Sequence, residues 1–450
     1  MNHELFKLVV PEEKLNPHFL HMLTHTSAEP ARTMAEAVFR YFPNPDGNFI
    51  EQFQTTGYDS RIFELYLFAY FYNSGFTVNR DFDQPDFTIT RNELSVAVEA
   101  TTANPIQLTP PSPARGIQEL SEEEFQKKLS DELPIRFGSP LFSKLNKRYW
   151  DLPQCQNQPI VLAIEAFFEE GSLYFSDSSL SQYLYGLKHF PDWTEDGKLV
   201  VRSSPIEEHS WKAKIIPSNF FKQPGTEHIS AVIFSNSGTY AKFQRMGYLA
   251  GYHRGNLTFV RKGICYSFKP NATKPLPFAY DLDDPLVVEN WGQGLMVLHN
   301  PNALHPIPGD YFPEVAESYL KNDLVKTDLP SFYPYMSQTL CVSFTLDDQP
   351  PVESITKHEY YSFNPAKNPA VDLISRDKEW YADKDRIILG AILLDTIDND
   401  WVYIILGRDG KGVFRWIEGE VSIVDRDKAR ERLVKKMKSI LLTGQMVFPQ

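Results

Sequence analysis

A chain of 450 residues, 42% of them hydrophobic and 14% aromatic, carries too much buriable surface for a disordered chain or a collagen-like fibre, and its length suits two or three units of ordinary size. Lysine and arginine number 45 against 58 aspartate and glutamate, a net charge of −13, so no protein-wide cationic field gathers polyanions and any nucleic-acid contact must use local basic patches. Cys155, Cys265 and Cys341 are widely spaced and form no C-x-x-C pair, which excludes a disulfide framework or zinc knuckle and fits a cytoplasmic location.

The first ten residues carry Glu4 and only a short apolar run, unlike a secretory leader, and the most apolar stretch, Ile387 to Leu394, is too short to cross a bilayer. Asn16-Pro17 opens a helix on which His18, His21 and His25 could share a stripe, although no neighbouring acid completes a metal site. Ser27 to Tyr41 reads as a second helix, with Ser27 as cap and Pro30 in its first turn. Arg61 to Asn73 is almost wholly apolar and is followed by Gly75, placed where a left-handed helix stop belongs, so a buried helix is expected there. Strands follow at Phe76 to Val78, Asp86 to Thr90 and Leu94 to Thr102, the last two joined by a polar turn at Arg91-Asn92-Glu93.

After a proline-rich connection, Ser121 and Glu124 form a capping box for a helix to about Leu133, stapled by Leu120 and Phe125. Ser139-Pro140 is expected to start another helix through Trp150, and Pro159 to Phe168 is a strongly apolar fourth strand. The order α-β-β-β-α-β predicts an α/β core at about residues 50 to 170 around one mixed sheet, in a domain spanning 1–345 with residues 171–345 extending it. A break at Asp347 to Pro351 separates a small α+β domain at 352–450. Its strands are expected at Arg386 to Leu394, Trp401 to Leu406 and Val413 to Ile417, followed by a basic helix from Asp425 to Leu442. That helix and its domain are candidates for binding a partner, for self-association, or for ordinary amphipathic packing of Leu433, Met437 and Ile440.

Chemistry concentrates in the core. Glu64 sits among Ile62, Phe63, Leu65, Leu67 and Phe68, where an ionised carboxylate costs several kcal/mol unless a cation such as Arg61, or a set of donors, answers it. If Asn92 and Glu93 are the turn, cross-strand partners sum to 185 and Asp86 stands opposite Glu99. Like charges so opposed destabilise a hairpin, which suggests a divalent cation with oxygen ligands, Mg²⁺ or Mn²⁺; two unrelated solvent-facing acids are the alternative. Strand alternation turns Ala97, Glu99 and Thr101 to one face and Val96, Val98 and Ala100 to the other.

Glu64 on a helix, Pro85-Asp86 opening a strand and Val98-Glu99-Ala100-Thr101 closing the next resemble the PD-(D/E)XK nuclease superfamily, the restriction-endonuclease-like fold. The resemblance covers about residues 50 to 170. It implies that Asp86, Glu99 and Glu64 hold catalytic Mg²⁺ (or Mn²⁺) and that a lysine stands beside the attacked phosphate. Thr101 occupies the position of the motif's lysine, and a hydroxyl supplies no positive charge. Lys144 is the best substitute, since a helix packed on the sheet can aim a long side chain back at the site. Around it Arg136, Lys147 and Arg148, with no acid between Arg136 and Arg148 and with Tyr149 and Trp150 adjoining, form a candidate phosphate-contacting patch; an amphipathic helix with a solvated basic face accounts for the same residues. Glu165 on the fourth strand could add a fourth acid or face solvent at the rim.

The resemblance implies a Mg-dependent endonuclease acting on DNA in preference to RNA, with host defence or restriction as the setting and no membrane partner. The competing reading is a binding or scaffold protein that kept the fold and lost the chemistry.

Overall fold

The computed structural model describes residues 4–43, 47–104, 121–168, 172–174, 177–252, 257–269, 271–282, 287–343, 356–358, 378–382, 388–395, 400–408 and 414–443. Eight strands form its principal sheet: β1 (Thr77–Asn79), β2 (Phe87–Arg91), β3 (Leu94–Ala103), β4 (Ile160–Ala166), β5 (Ala231–Ser235), β6 (Leu295–His299), β7 (Ala316–Lys321) and β8 (Leu324–Asp328). They lie side by side in chain order. The sheet is mixed: β3, β4 and β5 run parallel, as do β6 and β7, and the other neighbours are antiparallel. Every residue of β4, β5 and β6 is buried, as expected of strands covered on both faces. The 171–345 region, expected to extend the core, therefore contributes half of the central sheet.

Helices cover both faces. On one side stand α1 (Pro17–Thr24), α2 (Glu29–Phe39), α3 (Phe49–Gln54) and α4 (Tyr58–Asn73), which share a core with Val96, Val98 and Ala100 of β3. On the other, α5 (Glu122–Lys127) leads through a π-helical segment, Lys128–Glu132, into α6 (Leu133–Leu145). Here α6 and α7 (Ser178–Tyr185) share a core with Ala97 of β3. The expected alternation of side chains along β3 is thus observed. A further helix, α8 (Tyr240–Leu249), packs against α2.

Local chemistry explains the key elements. Helix α4 is apolar on every side and nearly all buried, so it can exist only inside a core. The hydroxyls of Tyr66 and Tyr70 then donate to the carbonyls of Trp291 and Pro313, both at 2.9 Å. Its end is a Schellman turn: Gly75 has φ +81°, the Phe76 and Gly75 amides donate to Phe71 and Tyr72, and the Phe71 and Phe76 rings touch. Asn92 and Glu93 both take positive φ, the two-residue turn that matches strand twist, and β2 pairs with β3 in the register summing to 185.

Three local readings are corrected. Ser139-Pro140 does not begin a helix: Pro140 lies inside α6, and the stretch from Glu122 to Leu145 is one continuous helical run rather than two helices. Tyr149 and Trp150 follow it in a separate 3₁₀ turn, entered through Arg148 at φ 51°. Ser27 lies in a 3₁₀ turn with its hydroxyl on His25 Nδ1 at 2.6 Å, and α2 starts at Glu29 with Ala28 before it. The Ser121–Glu124 capping box is present, while Leu120 lies outside the described residues.

The C-terminal residues form a unit with its own core. Strands Thr356–His358, Lys378–Ala382, Ile388–Asp395, Asp400–Arg408 and Phe414–Ile423 make an antiparallel five-stranded sheet, and α9 (Arg426–Thr443) lays Leu433, Met437 and Ile440 on it. Two strands more than expected pair there; the break at 347–351 lies outside the described residues. Among the described residues no helix is long and apolar enough to cross a membrane.

Candidate functional site

The ends of β2 and β3, the start of α4 and the last turn of α6 meet at one rim of the sheet. Glu99, on the α6 face of β3, is 3% exposed. Its Oε1 accepts from Lys144 Nζ at 2.5 Å and from the Tyr149 hydroxyl at 2.7 Å, and its Oε2 accepts from the Asp86 amide at 3.2 Å. Asp86, immediately before β2, turns its Oδ2 back to the Ala100 amide at 2.7 Å, so the two acids interlock across the strand pair as the register requires. Burial pushes the Asp86 carboxyl well above its ordinary value, the nearby negative charges of Glu64 and Glu99 push it further, and Lys144 draws it back. Burial and Glu99 likewise raise the phenol of Tyr149.

Glu64 reaches this neighbourhood from α4. Arg61 one turn earlier holds both its oxygens, at 3.0 and 2.9 Å, and Arg80 approaches at 3.5 Å. Arg80 also donates through Nε to the Asp86 carbonyl at 3.0 Å and lies over the Phe42 ring, so one guanidinium links the helix acid to the strand acid. The cation expected to answer Glu64 is therefore Arg61, and Arg80 joins it. Glu64 sits close enough to raise the Asp86 carboxyl, with its own charge already met by arginine.

Glu64, Asp86, Glu99 and Lys144 thus stand at one place, where Lys144 brings a cation onto Glu99. The patch is divided. Lys147 and Arg148 are exposed, Arg148 pairing with Asp151 at 2.6 Å. Arg136 is half-buried, bonded to Glu132 at 3.0 Å and stacked on Phe168 and Trp211. Tyr149 is fully buried and belongs with Glu99, so it cannot line an exposed patch; Trp150 stacks on His228. Glu165 neither joins the site nor faces solvent: it is fully buried, accepts from the Gly238 amide at 2.8 Å, and burial raises its carboxyl to about 8.

Sequence reasoning missed Arg80 and the role of Tyr149. An arginine between Asn79 and Asp81 in a loop carries no distinguishing pattern. The left-handed turn at Arg148 that tucks Tyr149 under β3 has no glycine to announce it.

The donor set suits a hard divalent cation in part. Asp86 and Glu99 offer two oxygens with capacity to spare, and the burial and crowding that raise the Asp86 carboxyl are what a bound cation would offset. Among the described residues no group of three or more histidine, cysteine or acidic side chains closes on one point, so the remaining ligands would be waters or substrate oxygens, as Mg²⁺ commonly retains. Set beside known proteins, the chain matches no family model, no curated protein and no solved structure.

Proposed function

We propose that this rim is the active centre of a metal-dependent nuclease of the PD-(D/E)XK type, with its lysine moved from strand β3 to helix α6. The observation that carries the reading is the meeting of Asp86 and Glu99, at the paired ends of β2 and β3, with Lys144, a helix cation 45 residues beyond Glu99, beside a helix glutamate. A phosphate ester at this rim would meet one cation and two acids.

Asp86 and Glu99 would hold Mg²⁺ or Mn²⁺, which when bound supplies Lewis acidity and lowers the pKa of a water. Lys144 Nζ, fixed on Glu99, stands ready to donate to a phosphoryl oxygen as negative charge builds there. Tyr149 fixes the other side of Glu99, so that the carboxylate is oriented before substrate arrives. Glu64, Arg61 and Arg80 set the potential around Asp86 and position its backbone. Nucleic acid, DNA ahead of RNA, is the substrate this reading names, in a cytoplasmic defence or restriction setting.

The test is cleavage of labelled DNA with Mn²⁺ or Mg²⁺, alongside calorimetric titration of Mn²⁺. Glu99→Ala and Asp86→Asn are expected to lose Mn²⁺ binding and at least about a hundredfold in rate. Lys144→Met is expected to keep Mn²⁺ binding and lose a comparable factor in rate. Absence of both cleavage and Mn²⁺ heat in the wild-type protein leaves the fold a binding scaffold and refutes the enzyme.

A further inference from the structure

From the same seam between β3 and α6 a groove of about 530 Å³ opens beside the acid cluster, floored by the end of β3 at Thr102 to Asn104 and walled by α6 on one side. Its other wall is a β-hairpin, Glu208–Trp211 paired with Lys214–Pro217, whose turn carries Lys212 at φ 55°. Lys214 ties this hairpin to α6 by donating to Ser139 Oγ at 2.7 Å. Pro140, in the groove wall, stands one turn before Lys144 on α6, and Ala103 shares the strand face of Glu99 and Thr101. Groove and cluster thus lie in line.

Chemically the lining is one-sided. Arg136, Lys212 and Lys214 contribute three cations and no acid lines the groove, in a chain whose net charge is −13; Glu132, bonded to Arg136, offsets one of the three from behind. Trp211 stands among them, with the Arg136 guanidinium 4.7 Å and the Lys212 ammonium 4.3 Å from its ring. Lys212 and Lys214 are exposed, so a phosphate can draw their ammonium groups from their resting contacts with Trp211 and Ser139, while Arg136 is pinned between Phe168 and Trp211. An aromatic ring flanked by cations in a groove of this size is the combination that takes up a base by stacking and its phosphates by charge.

We infer that this groove binds the single-stranded part of a nucleic-acid substrate, with Trp211 stacking on a base and Lys212 and Lys214 on the flanking phosphates. It rests on the nucleic-acid reading of the adjacent cluster and extends it to strandedness. A duplex, whose bases are already stacked, gains nothing from Trp211.

Fluorescence anisotropy of a labelled 15-nucleotide oligodeoxythymidine, titrated with the full chain in chelator at several KCl concentrations, tests it. Wild-type protein is expected to bind the oligonucleotide more tightly than a duplex of equal length. Trp211→Ala is expected to weaken binding about tenfold. The exposed pair Lys212→Ala/Lys214→Ala should flatten the slope of log K against log salt by about 1.4, in a protein that still unfolds cooperatively. Wild-type binding with equal affinity for single and double strands overturns the inference, as do variants that both bind within about twofold of wild type. Binding that responds as expected in a protein that cleaves nothing supports the groove while sinking the nuclease reading.

Discussion

Asp86 is the residue on which the site turns, because the fold takes its carboxyl out of water, sets Glu64 and Glu99 nearby, and compensates in part through Lys144 and the Ala100 amide. Its native value is raised above the ordinary one near 3.8, so it takes up a proton on folding. The stability this contributes is complete below the ordinary aspartate range and is lost as pH rises through the raised native value. Asp86→Asn keeps an oxygen for the Ala100 amide and cannot ionise, so in chelator it is expected to be more stable than wild type at neutral pH, by about 1–3 kcal/mol, and no more stable at pH 4. Urea melts at the two pH values check this. Addition of Mn²⁺ should reverse the order, since only wild type then gains stability from ligand. A difference that does not grow with pH would mean that the carboxyls are not crowded.

At the scale of elements, two glycines separate two causes of instability. Gly75 ends α4 in the left-handed region with open space where a side chain would go, so Gly75→Ala is strained only in its backbone and should cost about 1 kcal/mol. Gly238, after β5, faces the buried Glu165: an added methyl would stand 2.2 Å from Glu165 Oε2 and 2.8 Å from the Phe63 and Tyr66 rings. Gly238→Ala is therefore expected to cost more, about 2–3 kcal/mol, because none of these groups can retreat within the core. Denaturant midpoints of the two variants give the ranking directly. Helix α6 shows a different constraint. The π-helical segment before it and Pro140 within it interrupt the helical hydrogen-bond pattern, yet Leu133, Phe137, Leu141 and Leu145 still reach one core and Lys144 still reaches Glu99.

For the molecule as a whole, the principal sheet buries a separate apolar cluster on each face, and the C-terminal sheet with α9 buries a third. Sites in different clusters share no partners and should act additively. Leu433, fully buried on α9 and in close approach to Gly390, is expected to cost about 2–5 kcal/mol when cut to alanine. That loss should appear in unfolding of the C-terminal unit and leave the Mn²⁺ response at Asp86 unchanged, which thermal melts with and without Mn²⁺ can read. A changed response would show that the two units are energetically joined.

Much of this was legible before any coordinates, and for a common reason. Helix α4 and its glycine stop, the Asn92-Glu93 hairpin, the register that brings Asp86 to Glu99 and the capping box at Ser121 all depend on residues a few positions apart, where periodicity and turn chemistry act. The joining of α5 to α6 escaped because Ser-Pro reads as a helix start unless a packed face overrides it, and α6 has such a face. The third dimension alone decided which charges answer which. Lys144 and Tyr149 reach Glu99 across 45 and 50 residues, and Arg80 reaches Glu64 only because β1 and α4 close over one core. No local pattern encodes such pairings; they follow from the desolvation cost of a buried carboxylate, which is met by whatever cation the completed sheet brings within reach.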